Sequence, residues 1–335
     1  MKRRDVLKGC LAFLFGKNVG SAETPIPSPT ESCGWIPNPD ATRSFCQEIP
    51  ALDAEIRELI LASTDNDVLL YKALAKYCPN LTKSRDGVDC VTSYNQGNIG
   101  SCVGHGTAQA LNALYAVQAY LGECEMHAPF AADAAYGLAR EAGNMLGQSG
   151  DGCYGAAAAK SLLEMGTLYR VEYPDADLRE YSVNRCKKFG YSGVGTKLKT
   201  EAKTHLISNV VNCKTAESAW GLVGSGYPIN VCSTTGFEMR RDTEGVCRAS
   251  GRWSHSMAII GRRTTQNGQK LFLIQNSWGN DWCEGPYWQD MPWGSFFATY
   301  EVVHKMLECG DSFAYYGIGN LRPRYLSDFG TDTYL

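Results

Sequence analysis

From Cys102 onward the apolar positions Leu111, Leu114, Val117 and Leu121 recur at steps of three or more residues, and Gly122 follows them. That spacing lines one face of a helix, which the glycine ends. A second helix is predicted from Ala156 to Met165, closed by Gly166. In residues 51–77, Leu52, Ile56, Ile60, Leu69, Leu70 and Leu74 suggest two amphipathic pieces broken near Asp65-Asn66-Asp67. The pattern then changes. YPINVCS (227–233), SMAIIGRR (256–263), KLFLIQN (270–276) and FFATY (296–300) are short β-rich runs separated by Gly, Asn and Ser. A helical first half followed by a β-rich second half predicts an α+β fold. Residues 24–40 are rich in Pro and Ser and read as a linker or extended strap. The closing YLSDFGTDTYL reads as a surface tail.

Composition adds limits. The 335 residues carry a formal net charge of −3, which gives no reason to expect nucleic acid or an acidic membrane as partner. No apolar run approaches the ~18 residues of a membrane span. The cysteines are more informative: there are fourteen. If Cys10 leaves with a signal and Cys102 is a free thiol, an even number remains, as a disulfide framework in an oxidising compartment requires. A cytosolic protein with many buried thiols is the alternative. Residues 1–22 resemble a twin-arginine export signal, with Arg3-Arg4 ahead of a short apolar core and small residues. Exported, periplasmic or secreted, is therefore the expected location. No paired CxxC is present, so no metal or cofactor is expected.

The candidate chemistry centres on Cys102, in NQGNIGSCVGHG at the mouth of the predicted helix. A helix start favours a thiolate through its dipole and free N–H groups. A cysteine nucleophile also needs a base, an orienter for that base and oxyanion donors. His255 enters an apolar strand in RWSHSMAIIG, and Asn276 ends the next one in LFLIQNSWGNDW. An asparagine there can accept the Nδ1–H of His255 and leave Nε2 toward the sulfur. His105, one turn after Cys102, is a rival base, whereas His127, His205 and His304 read as ordinary residues. Trp253, Trp282, Trp288 and Trp293 read as core or cleft-wall aromatics.

NQGNIGSC, SHSMAIIG and QNSWGNDW, in that order, resemble the signature segments of the papain-like (C1) cysteine peptidases. The resemblance covers about Leu81 to the C-terminus and implies a two-lobe fold. One lobe would be helical and the other β-barrel-like, with a cleft between them that hydrolyses peptide bonds. It implies Cys102 as nucleophile, His255 as base, Asn276 as its orienter, Gln96 as oxyanion donor and Trp278 covering the Asn–His bond. GDGCYGA (150–156) is similar to the family's glycine-rich cleft segment, which implies that Cys153, Gly155 and Ala156 lie along the cleft; Gly155, Ala156 and, separately, Trp278 are expected to meet substrate. There are departures. Ile99 replaces a cysteine, leaving Cys153 to find another partner, with Cys186 a candidate, and Val103 replaces an aromatic. Residues 23–80 would be an accessory segment and 81–335 the peptidase domain, acting on a peptide or protein. Small cell-wall amidases of related fold share the Cys-before-His order. A catalytically silent papain-like scaffold that binds peptides is the alternative from another class.

Overall fold

The computed structural model describes residues 33–49, 58, 66–126, 128–316 and 326. The proposed signal, all but Glu58 of the first predicted helical piece of 51–77, His127 and most of the tail lie outside these residues. The chain enters as an extended strap, and Asn38 then caps α1 (Pro39–Glu48), whose first residue is a proline suited to that position. A two-residue strand β1 (Val68–Leu69), helix α2 (Tyr71–Tyr77) and the hairpin β2 (Thr82–Arg85) and β3 (Val88–Val91) precede the central helix α3 (Cys102–Tyr120).

Helix α3 runs where the spacing predicts, and Gly122 ends it in the left-handed region, φ 69°. Almost every side chain of α3 is buried, because other elements enclose it on several sides. Helices α4 (Ala132–Ala142) and α5 (Gly155–Glu164) complete this lobe's core. The hairpin β4 (Glu172–Tyr173) and β5 (Ala176–Asp177) and helices α6 (Val183–Ser192) and α7 (Thr196–Ala202) follow. Arg140 of α4 is buried and donates to the carbonyls of Gly190, Gly150, Gly152, Met145 and Gln148. One guanidinium thereby fixes the loop leading to Cys153.

The second lobe comprises β6 (Asn209–Asn212), α8 (Ala216–Gly224), β7 (Ile229–Phe237), β8 (Ala249–Thr264), β9 (Lys270–Gln275), β10 (Ser295–Thr299), α9 (Tyr300–Leu307) and β11 (Phe313–Tyr316). The sheet order is β10-β9-β8-β7-β11-β6, antiparallel throughout, with β1 also pairing with β8. Among the described residues no pairing joins β10 to β6, so the expected barrel-like lobe is an open sheet. The α+β expectation holds. Gly106 of α3 lets the helix approach the sheet closely: a Cβ there would stand 2.5 Å from Asn230 Oδ1 and 3.0 Å from Ser256 Oγ. That approach brings the start of α3 beside β8, where His255 lies.

Among the described residues every cysteine is a free thiol, which differs from the expected disulfides. Most are buried and behave as small apolar side chains. The candidate pair is separated in its contacts. Cys186 shares hydrogen bonds with Tyr181 and Ser101, whereas Cys153 Sγ meets the Tyr154 carbonyl.

Candidate active site

Cys102 is the first residue of α3 and is fully buried. Three backbone N–H groups act on its sulfur, those of Ser256, Gly34 and Val103. Ser256 directly follows His255, so the nucleophile candidate and the base candidate meet across the junction of the lobes. Asn276 stands just past the end of β9 and closes the arrangement. His255 Nε2 and Asn276 Oδ1 are 2.8 Å apart, and Asn276 Oδ1 also accepts Ser277 N–H at 2.7 Å. His255 Nδ1 is buried without a hydrogen-bond partner.

This corrects the expected tautomer. The ring presents Nε2, not Nδ1, to Asn276, and Nδ1 is the nitrogen left for the thiol. The reason is the direction from which the asparagine arrives. Asn276 follows β9, which pairs with β8, and the His255 side chain reaches across to it with its far nitrogen. Trp278 lies over His255, with centroids 4.6 Å apart, and Trp253 and Trp282 back it at 5.0 and 5.6 Å. Trp278 is thus buried behind the imidazole instead of lining an open cleft, contrary to its expected place among the substrate contacts.

Gln96 is buried in the loop before α3. Its Nε2 donates to the Ile99 carbonyl at 2.8 Å, and its Oε1 accepts Ser277 Oγ–H at 2.6 Å. Its backbone N–H reaches Ser277 O at 2.9 Å. Gln96 is therefore held against the segment carrying Asn276 by Oε1 and its backbone N–H, while its amide nitrogen closes its own loop. His105, the rival base, has Nδ1 3.1 Å from Ser101 Oγ and from the Ser101 carbonyl, and its ring packs edge-on against Tyr181. Burial pushes its pKa down to about 3, which favours a neutral ring tied to its own helix.

Gly155 and Ala156 also require a correction. They form the first turn of α5, where their N–H groups are taken by Asp311, Gly155 at 2.6 Å and Ala156 at 2.8 Å. In the same segment the backbone edge that takes an extended partner is that of Cys153, and here the strap uses it. Cys153 N–H donates to Gly34 O at 2.9 Å, and Ile36 N–H donates to Cys153 O at 2.8 Å. On the other side Trp35 N–H donates to Ser254 O at 3.0 Å. Residues 34–36 thus bridge the two lobes across Cys102. Only glycine fits at position 34, since a Cβ there would fall 1.9 Å from the Gly100 carbonyl oxygen.

The cover decides the charge state. Burial pushes the Cys102 thiol up to about 12, with the neighbouring Cys33 adding to the rise and the three N–H groups opposing it. Burial lowers His255 to about 4, although its bond to Asn276 partly offsets this. Under the strap, desolvation therefore works against the expected thiolate–imidazolium pair and favours a neutral thiol and a neutral ring. Cys33, Gly34, Trp35 and Asp311 were not singled out from the sequence. The Pro-rich run read as an extended strap was the one signal pointing to the first three.

Residues 78–291 match the papain family of cysteine proteases. The chain belongs to that family. Among solved structures the papain-family chain is similar to xylellain, a cysteine protease from Xylella fastidiosa, with TM-score 0.54 and 15% identity over 86% of this chain and 97% of that one. It is also similar to the procathepsin B S9 of Trypanosoma congolense, with TM-score 0.51 and 12% identity over 87% and 89%. At such identities the likeness concerns the fold. A curated relative, the thiol protease SEN102 of Hemerocallis, is 33% identical over 66 residues. That match spans 19% of this chain and 18% of the relative's length. Among the described residues no helix is long and apolar enough to cross a membrane.

Proposed function

We propose that the protein is a cysteine peptidase hydrolysing peptide bonds through Cys102, His255 and Asn276. The observation carrying this reading is the His255–Asn276 bond, which leaves a buried, unpartnered Nδ1 beside the residue whose N–H touches the Cys102 sulfur. With the strap displaced and water or substrate admitted, Cys102 gives its proton to His255 Nδ1 and its sulfur attacks the peptide carbonyl. The oxyanion forms at the start of α3, within reach of the Cys102 N–H and the Gln96 amide. His255 then protonates the leaving amine, and water hydrolyses the thioester. Asn276 positions the ring throughout.

The silent-scaffold reading is favoured by one fact, that a segment of the chain already lies across the thiol. Peptide hydrolysis together with active-site labelling separates the two. A peptidase loses hydrolysis in Cys102→Ala and loses about 10²–10³-fold in kcat in Gln96→Ala. If the protein binds peptides but never turns them over, even with the strap unseated, the scaffold reading prevails. Export through residues 1–22 belongs to the proposal, and the mass of protein recovered outside the cytoplasm tests it.

A further inference from the structure

Behind the rings that back His255, two stretches of backbone are drawn together. One is the connection between β7 and β8, and the other is the segment after Trp278, residues 279–285. Arg241 N–H donates to Glu284 O at 2.8 Å, and Glu284 N–H donates to Met239 O at 2.9 Å. The buried Arg241 guanidinium adds bonds to the carbonyls of Cys283 at 2.7 Å and Gly285 at 3.1 Å. Between these stretches lie Cys247 and Cys283, both buried, with their sulfurs 3.1 Å apart. Cys247 is tied to the sheet by its N–H on Phe297 O at 3.0 Å. Cys283 directly follows Trp282, whose ring packs on Trp278 and Trp253.

The backbone at Cys283 is a second, independent observation. Its φ is 72°, in the left-handed region that a β-carbon disfavours. The same segment places glycine at its other two left-handed positions, Gly279 and Gly285, both at φ 89°. Glycine would fit position 283 without strain, so a cysteine there is accounted for by its sulfur. The hydrogen bond from Cys247 lowers the Cys283 thiol, and the Arg241 guanidinium adds to this against burial. Cys283 is therefore the readier of the two to act as a thiolate.

We infer that Cys247 and Cys283 form a disulfide when the chain meets oxidising conditions, and that this bond braces the ring wall behind His255. The oxidant is a small disulfide such as glutathione disulfide. Cys283 releases its proton, attacks one sulfur of the oxidant and expels a glutathione thiolate. That thiolate takes the proton of Cys247, whose sulfur then attacks the Cys283 sulfur and expels the second glutathione, which picks up the proton Cys283 released. Two protein thiols are oxidised, and one disulfide is reduced to two thiols. The bond joins residues 36 apart in sequence, which restricts the unfolded chain. In the folded chain it fastens the Trp282 segment to β10 through Cys247.

The folded full chain is reduced, freed of reductant and equilibrated with glutathione disulfide. Remaining thiols are then blocked in denaturant, and the peptides are mapped without reduction. The expected product is a peptide pair linked through Cys247 and Cys283. Oxidation should raise the thermal midpoint by about 4–8 °C, and Cys247→Ala should lose this rise. Amide hydrogen exchange over residues 277–285 should slow by at least about tenfold on oxidation. Recovery of the two cysteines as free thiols, as mixed glutathione disulfides or bonded elsewhere overturns the inference, and that result needs no variant to fold. A thermal rise that persists in Cys247→Ala, or exchange at 277–285 unchanged once the bond has formed, sinks the brace. None of these readouts passes through Cys102 or peptide hydrolysis, so this inference and the peptidase reading fail separately.

Discussion

On one side of Cys102 stands a wall of rings. His255 is clamped between Asn276 and Trp278, which is backed in turn by Trp253 and Trp282. On the other side the contacts are glycines and main chain: Gly34 against Gly100, and the strap paired with Cys153. The first wall is a part of the sheet's core and cannot move without unpacking it. The second is held by a handful of hydrogen bonds, by Trp35 and Thr42 on Asp311, and by Phe45 of α1, which is buried against Phe313. The difference teaches that the base is built into the fold while access to the nucleophile is set by a short, separable segment.

The largest effect should come from breaking the wall made by the strap. In Gly34→Val the added side chain meets the Gly100 carbonyl, so residues 33–36 should leave the cleft and carry no rigid part of the fold with them. Reaction of Cys102 with iodoacetamide should then rise by at least about 10²-fold over the parent chain, since a buried thiol pushed up to about 12 becomes a solvated one beside a histidine. A rate equal to the parent's would mean that the strap does not control access.

The rigid wall is tested by pH. His255 is lowered to about 4 by burial, against an ordinary 6.5, so between these values the unfolded chain binds a proton that the closed protein does not. More protons bound to the unfolded state means that stability rises with pH, so this contribution is full above 6.5 and is lost as pH falls toward 4. The size is up to about 3 kcal/mol. His105, lowered to about 3, acts in the same direction. Thermal melting of the parent against His255→Gln should show the difference between them changing across this window. A constant difference would rule out a buried neutral imidazole.

Legibility in the sequence follows the same division. The rigid wall could be read because its parts sit in regular elements with strong local patterns: an apolar strand into His255, another into Asn276, a long helix from Cys102. Strands β7 to β10 and helices α3 and α5 lie close to their predicted positions. Less visible were elements whose signals are weak alone. Helix α4, ADAAYGLAREA, is rich in alanine, and β11 is four residues placed by pairing with β6 and β7. Asp311 could not be found, because the four residues that converge on it are distant in sequence and none of their local patterns points to it. The cleft segment was misaligned for a similar reason. The resemblance of GDGCYGA to a glycine-rich cleft segment put Gly155 and Ala156 among the substrate contacts, and only the helix start with its carboxylate shows that their N–H groups are already taken.

Within the rigid wall, Asn276→Ala removes the acceptor of the His255 bond. One buried hydrogen bond of about 1–3 kcal/mol corresponds to about 5–150-fold. Hydrolysis measured in the Gly34→Val background should lose that in kcat, with KM little changed, because the loss falls on ring placement and not on peptide binding. Unchanged kcat would mean that the aromatic rings hold the imidazole unaided.

The smallest effect is expected where the two walls are joined. Ser277 follows Asn276 and belongs to the base side, yet its hydroxyl donates to Gln96 Oε1 at 2.6 Å, on the loop before Cys102. That bond points the amide nitrogen of Gln96 toward the Ile99–Cys102 turn, where the oxyanion would form. Ser277→Ala removes one neutral hydrogen bond, worth about 0.5–1.5 kcal/mol, and leaves the Gln96 N–H to Ser277 O bond intact. Turnover in the Gly34→Val background should fall by about two- to twelvefold, while labelling of Cys102 by iodoacetamide, which forms no oxyanion, stays the same. A fall in both rates would show that Ser277 supports the thiol and base themselves, and the two walls would then be one unit.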